Sequence, residues 1–440
     1  MKKSILTSLL AIALILSCGS VFAACDPKTP NNQETVAVTS GSEPEAPDTP
    51  ETPTSSGLTY KVNDDGTTCT ITGIGTCTDS NINISTKIDG YKITAIGSGA
   101  FANCISLESV TVSNTVTSIG VSAFYGCVGL SEIMIPETIE SIADSAFKDC
   151  SSIKRVTMPT MAIASIPLDS LETVVLNGGT SIDASAFSGC DSLKSVTISN
   201  SITSIGELAF YNCSSLTSIT IPDSVTSLDA KAFSGCGGLV SITLGNGVTS
   251  IGKRMFAGCS KLESITIGNG VTSIGDDAFQ FCNSLKSITI PDGVTSIGAG
   301  AFSYCDVLES VTLGKGVGSI GMNAFYWCDE LKSITIPDSV TSLGTDIFSG
   351  CNALETVTIG NGVTSITDRM FYGCSALKSI TIGNRVTSIG NSALCRCMSL
   401  ASITVAGTVA QWQAMKFGFD WNDFVPATEV VCSGGIVTLS

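Results

Sequence analysis

A single 23-residue unit recurs from Phe101 to Cys397, in the form L-x-S-[IV]-T-[IV]-x-x-x-V-T-S-I-x-x-x-A-F-x-x-C. Its cysteines mark the register: Cys104, Cys127 and Cys150, then Cys190, Cys213, Cys236, Cys259, Cys282, Cys305, Cys328, Cys351, Cys374 and Cys397. Only the interval from Cys150 to Cys190 departs from the period. A unit this short cannot bury its own apolar face and must lean on its neighbours, so the chain stacks into a solenoid. Such a fold offers long regular walls and no deep pocket, which points towards binding.

Within Leu262-Glu263-Ser264-Ile265-Thr266-Ile267, apolar and hydroxyl residues alternate with the period of a half-buried strand. Gly268-Asn269-Gly270, or Pro-Asp-Ser in sister units, is turn chemistry. Val271 to Gly275 reads as a second short extended segment, and Asp276 to Cys282 as a short helical turn leading back to the next strand. Each coil then buries Leu, two aliphatics, Val, Ile, Ala, Phe and Cys. Fourteen strands are expected, starting at Leu107, Leu130, Ile153, Leu171, Leu193, Leu216, Leu239, Leu262, Leu285, Leu308, Leu331, Leu354, Leu377 and Leu400. At about 4.8 Å per rung they make a body roughly 65 Å long. Ser151 to Leu171 lacks the Ala-Phe-x-x-Cys turn and carries Pro159 and Pro167, so a local kink is expected there.

The N-terminus reads as an export signal over residues 1–24, with Lys2 and Lys3 before the apolar run Ile5 to Leu16, too short to span a bilayer. Phe22-Ala23-Ala24-Cys25 resembles a bacterial lipoprotein signal, which makes Cys25 the expected lipidation site; Cys18 and ordinary cleavage after Ala23 are the alternatives. Residues 25–57 are polar and Pro/Thr/Glu-rich and read as a disordered tether of roughly 30 Å reach. Residues 58–104 are then an N-terminal cap, 105–405 the repeats and 406–440 a C-terminal cap. The formal net charge of −16 argues against nucleic acid, whose phosphates need a basic face. With no His in the chain, the commonest general base and metal ligand is missing.

The repeat, with its cysteines in register, resembles the BspA-like (Treponema-type) leucine-rich repeats. The flanks resemble the ends of such domains: Gly57-Leu58-Thr59-Tyr60 through Lys87 to Ile93, and Gly407 to Trp412 followed by Trp421 and Val430-Val431-Cys432. The expected fold is a leucine-rich-repeat solenoid, β-rich with short helical turns, about 14 coils of 23 residues, capped at both ends. The resemblance implies a non-enzymatic, surface-exposed bacterial protein, some relatives being adhesins for host matrix proteins or other bacteria. A monomer is expected, touching membrane only through a lipid anchor. A structural or decoy surface protein without a specific ligand is the alternative function, and a glycan-binding module a further one.

The residues themselves yield few chemical candidates. Nothing reads as a nucleophile motif, a phosphate loop, a metal site or a cofactor site. The cysteine ladder reads as buried thiols acting as small hydrophobes, and the 23-residue rhythm is wrong for zinc. Cys69 and Cys77 are a possible disulfide. Glu263, Lys286, Glu309, Lys332, Glu355 and Lys378 alternate in sign on successive coils, which reads as a self-neutralising column. Asp276-Asp277 reads as a helix start. Phe281, Tyr304 and Trp327 each precede a repeat Cys in consecutive coils and are expected to stack in one column with Tyr326 beside them. They are the candidate binding residues, because large aromatics anchor interfaces.

Overall fold

The computed structural model describes residues 53–439. The signal segment, Cys18, Cys25 and the tether up to residue 52 lie outside the described residues. Each coil has three walls. The front wall is a parallel strand in strict register with the next: Ser333 opposes Thr356, Ile334 Val357, Thr335 Thr358 and Ile336 Ile359. Along Ser333–Ile336 burial alternates, with the hydroxyls out and the isoleucines in, as a pleated strand with one wet face requires. The side wall is a two-residue strand such as Ser342–Leu343, paired with Ser319–Ile320. The third wall carries Ala-Phe-x-x-Cys.

That third wall corrects the sequence reading, because it is not helical. Its amides bond to the neighbouring coil instead: Phe302 N–H donates to Ala324 O at 2.7 Å, and Tyr304 N–H to Tyr326 O at 2.8 Å. Two left-handed residues in most coils make this possible, for instance Asp277 (φ 54°) with Phe281 (φ 61°) and Asn323 (φ 57°) with Trp327 (φ 55°). Left-handed residues cannot propagate an α-helix, so the wall is a run of tight turns. Asp276 and Asp277 accordingly start no helix. Asp276 Oδ1 accepts the Ala299 N–H of the next coil at 2.9 Å. Among the described residues, the α-helix is Val409–Gln413 and a 3₁₀ turn spans Thr160–Ser165.

The turn between front and side walls runs a second ladder. Asp338 Oδ1 accepts from Asn361 N–H at 2.6 Å, and Asn361 Oδ1 from Asn384 N–H at 3.1 Å. The Asp and Asn of the Pro-Asp-Ser and Gly-Asn-Gly turns therefore join coils as well as bending them. A Cβ at Gly362 would lie 2.1 Å from the Asp338 carbonyl oxygen, so glycine is required at that close approach.

The core is as expected: Leu285, Ile288, Ile290, Val294, Ile297, Ala301, Phe302 and Cys305 are all buried. The phenylalanines stack face to face, with centroids 5.1 Å apart for Phe101–Phe124 and 5.0 Å for Phe279–Phe302. Where a coil follows another without interruption, from Cys127 to Cys150 and from Cys213 to Cys397, the ladder thiol donates to a carbonyl of the preceding coil. Cys305 Sγ donates to Phe279 O at 3.1 Å and Cys328 Sγ to Phe302 O at 3.2 Å, each 26 residues back. Each of these carbonyls already accepts the amide of its own turn, Cys282 N–H at 3.2 Å for Phe279 O and Cys305 N–H at 3.3 Å for Phe302 O, and the thiol fills its second lone pair. Cys69 and Cys77 are both free thiols, the first buried and the second half-buried, so no bridge joins them in this structure.

The irregular segment does not interrupt the front wall. Arg155–Pro159 pairs on one side with Glu132–Met134 and on the other with Thr173–Gly178. The discontinuity falls on the other walls, where the 3₁₀ turn replaces the Ala-Phe turn. The flanks hold more repeat than expected. Asn81–Ile84 adds a parallel strand before Ser109–Val112, and Glu429–Ser433 adds one after Ser402–Thr408. Sixteen parallel front rungs result rather than fourteen, nine in one sheet and seven in a second, which Gly435–Thr438 extends as an antiparallel edge strand. Replacing one stacked ring, as in Phe302→Ala, is expected to cost about 3–5 kcal/mol in denaturant unfolding, because both neighbouring rings hold the cavity open.

Candidate functional site

The expected aromatics lie on the turn wall, in the left-handed position before the repeat cysteine. Other coils fill this position with Gly126, Gly189, Gly235, Gly258, Gly350 or Gly373, or with Asn103, Asn212 or Asp149. Phe281 (φ 61°), Tyr304 (φ 59°) and Trp327 (φ 55°) adopt it despite bulky side chains. A left-handed conformation costs a residue with a Cβ roughly 1–2 kcal/mol. Core packing does not offset it, since Phe281 is 46% and Trp327 43% exposed. Strain held by aromatics in three consecutive coils, exposed at Phe281 and Trp327 and half-buried at Tyr304, marks this stretch as built for something other than stability.

The column is partly as expected. Phe281 and Tyr304 stack, with centroids 5.0 Å apart and planes 14° from parallel. Trp327 has no ring contact with Tyr304. Its indole lies on Gly350, where a Cβ would meet it at 2.9 Å. Tyr326 joins the two groups, edge-on to Tyr304 at 5.6 Å and tilted against Trp327 at 6.3 Å.

Beside this column runs one that sequence reasoning missed, formed by the residue after each core phenylalanine. It alternates small and large: Ser303, Tyr326, Ser349, Tyr372. Each serine leaves a hollow between larger neighbours. The hollow over Ser303, about 260 Å³, is lined also by Asp277, Gln280, Asn323 and Tyr326. The hollow over Ser349, about 690 Å³ and open, is lined by Tyr326, Asn323, Asp346, Arg369 and Tyr372. Ser303 (3% exposed), Asp346 (8%) and Ser349 (5%) are the buried polar residues among the described residues, and all three line these hollows.

Their bonding is uneven. Arg369 donates from Nε to Asp346 Oδ1 at 2.7 Å and from Nη2 to Oδ2 at 3.1 Å, a bidentate pair that pushes the guanidinium pKa up further. Ser303 Oγ donates to Gly300 O at 3.0 Å and accepts from Gln280 Nε2 at 3.2 Å. The Ser349 hydroxyl and the Asn323 side-chain amide make no hydrogen bond among the described residues. Arg254 pairs with Asp277 at 3.2 Å at the other end, so the wall carries charges but little net charge. Among the described residues no group of three or more His, Cys, Asp or Glu could hold a metal ion.

On the front wall four of the six alternating charges pair, Lys332 on Glu309 at 2.6 Å and Lys378 on Glu355 at 2.9 Å, while Glu263 and Lys286 make no ion pair among the described residues. These exposed pairs add little stability.

Stacked parallel rungs with an inward leucine at each coil entry define a leucine-rich-repeat solenoid. The profile of the BspA type leucine-rich repeat region matches residues 75–176, 180–309 and 295–419, and the chain belongs to that family. It is similar to a leucine-rich cell surface protein from Faecalibacterium prausnitzii, at 30% identity over 84% of this chain and 99% of that one, with a TM-score of 0.36. A leucine-rich repeat protein from Bacteroides ovatus is 25% identical over 85% and 98%, with a TM-score of 0.43. The Treponema pallidum leucine-rich repeat protein is 25% identical over 59% and 90%, with a TM-score of 0.25. No curated protein matches the chain.

Proposed function

We propose that this chain is a non-enzymatic, exported bacterial surface protein, lipid-anchored through Cys25, that binds protein ligands with the turn wall between Asp277 and Tyr372. The observation that carries the binding role is the left-handed aromatic series Phe281, Tyr304 and Trp327, with Phe281 and Trp327 exposed and Tyr304 half-buried, beside hollows lined by buried polar groups. The family and the cell-surface relative from Faecalibacterium prausnitzii support surface display. The signal-like residues 1–24 and the tether 25–57 support export and anchoring, with Cys18 or cleavage after Ala23 as the other processing routes. The front wall, its charges largely paired coil to coil, serves as scaffold.

Binding to immobilised matrix glycoproteins such as fibronectin or fibrinogen is the test, and micromolar affinity is expected. Trp327→Gly is expected to weaken it at least tenfold while leaving stability within about 1 kcal/mol of the parent, because glycine relieves the left-handed strain. If the tryptophan were structural packing, the same change would cost about 3–5 kcal/mol. Unaltered binding by this variant, or no binding across a broad panel, would sink the reading. Mass spectrometry of the mature N-terminus, with protease shaving of intact cells, decides anchoring and display.

A further inference from the structure

Resting on the reading of the turn wall as the binding face, we infer that its two hollows are subsites for a neutral, extended glycan carried by the ligand. Alternate saccharide units sit over Ser303 and Ser349, with Tyr326 as the partition between them.

A saccharide offers a flat face of C–H groups and an edge of hydroxyls that both donate and accept. The wall presents the complement. Tyr326 and Tyr372, which line the larger hollow, supply ring faces, and Trp327 lies against Tyr326. The Ser349 hydroxyl and Asn323 amide, both lining the larger hollow, have donors and acceptors without a partner among the described residues. Asp346 and Arg369 hold each other in a plane through two bonds and keep lone pairs and N–H groups to spare, a preformed array for vicinal hydroxyls. A hollow of about 690 Å³ lies within the range of small-ligand clefts.

Charge narrows the class. The acids lining the hollows, Asp277 and Asp346, are engaged by Arg254 and Arg369, and Arg396 lies over the Tyr372 ring at 5.6 Å, so each cation bordering the hollows is already held; the chain's net charge of −16 further disfavours a phosphate, sulfate or sialic acid. A peptide laid on as an extra strand is also disfavoured. The backbone amides of the wall are used between coils: Trp327 N–H donates to Ser349 O at 3.0 Å and Tyr304 N–H to Tyr326 O at 2.8 Å. What remains open is side-chain chemistry with aromatic faces and neutral polar edges. The geometry adds a length. Ser303 and Ser349 are two coils apart, about 10 Å at the strand spacing. One coil spacing is comparable to one hexose unit in an extended chain, so a glycan running along the stack meets equivalent positions at alternate units.

The test has two arms, both with the purified chain. In the first, neutral oligosaccharides of defined linkage (cello-, manno- and N-acetylchito-oligosaccharides) are titrated by calorimetry and tryptophan fluorescence. Saturable binding is expected for at least one series, strengthening with chain length up to the span of both hollows. Tyr326→Ala, which removes the partition, and Ser349→Leu, which fills the larger hollow, are each expected to weaken it tenfold or more. If Ser349→Leu does not fold, Tyr326→Ala alone decides, its fold being checked by circular dichroism. In the second arm, a matrix glycoprotein that binds the chain is stripped enzymatically of its neutral glycans, and at least a tenfold loss is expected. Undiminished binding to the stripped protein that still depends on Trp327 overturns the glycan inference and leaves the adhesive reading standing. Binding of oligosaccharides that Tyr326→Ala leaves intact overturns the placement. No binding of either kind overturns both.

Discussion

Raising the pH above 9 is expected to unfold this protein abruptly, with the circular dichroism of the strands lost between about pH 9.5 and 11. The cause is the thiol ladder. Burial pushes the thiols of Cys190, Cys259, Cys305, Cys351 and Cys397 up to about 12, and those of Cys282, Cys328 and Cys374 well above their usual range. In the unfolded chain the same groups ionise near pH 8.5. Below that pH both states keep their protons and the ladder has no pH dependence. Above it the unfolded chain releases protons that the folded chain retains, so stability falls as pH rises. Each thiol contributes about 1.4 kcal/mol per pH unit, and eight acting together approach roughly 11 kcal/mol per unit. A typical domain holds only about 5–15 kcal/mol in total, so one to two pH units suffice. The decisive measurement is proton release on unfolding near pH 10. It is expected to drop by about three in a Cys282→Ala, Cys305→Ala, Cys328→Ala variant. An unchanged proton count would show that the thiols do not drive the transition.

The front wall was legible because its physics is local. All fourteen expected strands form, each starting two residues after its leucine or isoleucine, since alternation of period two has only one way to face a core. The turn wall was not. Ala-Phe-x-x-Cys places apolar residues at helical spacing, but its amides are consumed by the neighbouring coil. The left-handed residues that allow this include Leu208, Lys231 and Arg254, types that carry no turn signal. At the site, aromatics before a repeat cysteine stood out against glycine and asparagine in sister coils. Ser303 and Ser349 did not, because a serine in a turn looks solvated. Only stacking shows that each lies between larger side chains and is buried. The flanking coils were hidden for another reason. Asn81–Ile84 and Glu429–Ser433 pair like the other rungs, but they lack the repeat's leucine and hydroxyl pattern.

Ending the chain after Val405 is expected to produce an associating, far less stable species. The segment removed closes the stack on all three walls. Glu429–Ser433 pairs in parallel with Ser402–Thr408, and Lys416–Phe417 pairs with Ser388–Ile389. On the turn wall, Leu394 N–H donates to Trp421 O at 2.7 Å and Arg396 N–H to Asp423 O at 2.8 Å. Trp412, held on the short helix by the Thr408–Gln411 capping box, is buried against Phe417 and Trp421 at 5.1 and 6.0 Å. Without these groups the terminal rung from Ser402 onwards has an unpaired edge, and Leu400, Ile403 and Cys397 face water. An open apolar strand edge is a template for a second chain, so end-to-end association follows. Sedimentation velocity of the truncated chain should show concentration-dependent oligomers, and its melting point should fall by about 10 °C or more. Trp412→Ala in the intact chain should cost about 3–5 kcal/mol without association, because the covering strand is still present. A truncated chain that stays monomeric and melts like the parent would mean that the last repeat coil closes itself and that residues 406–440 serve some other end.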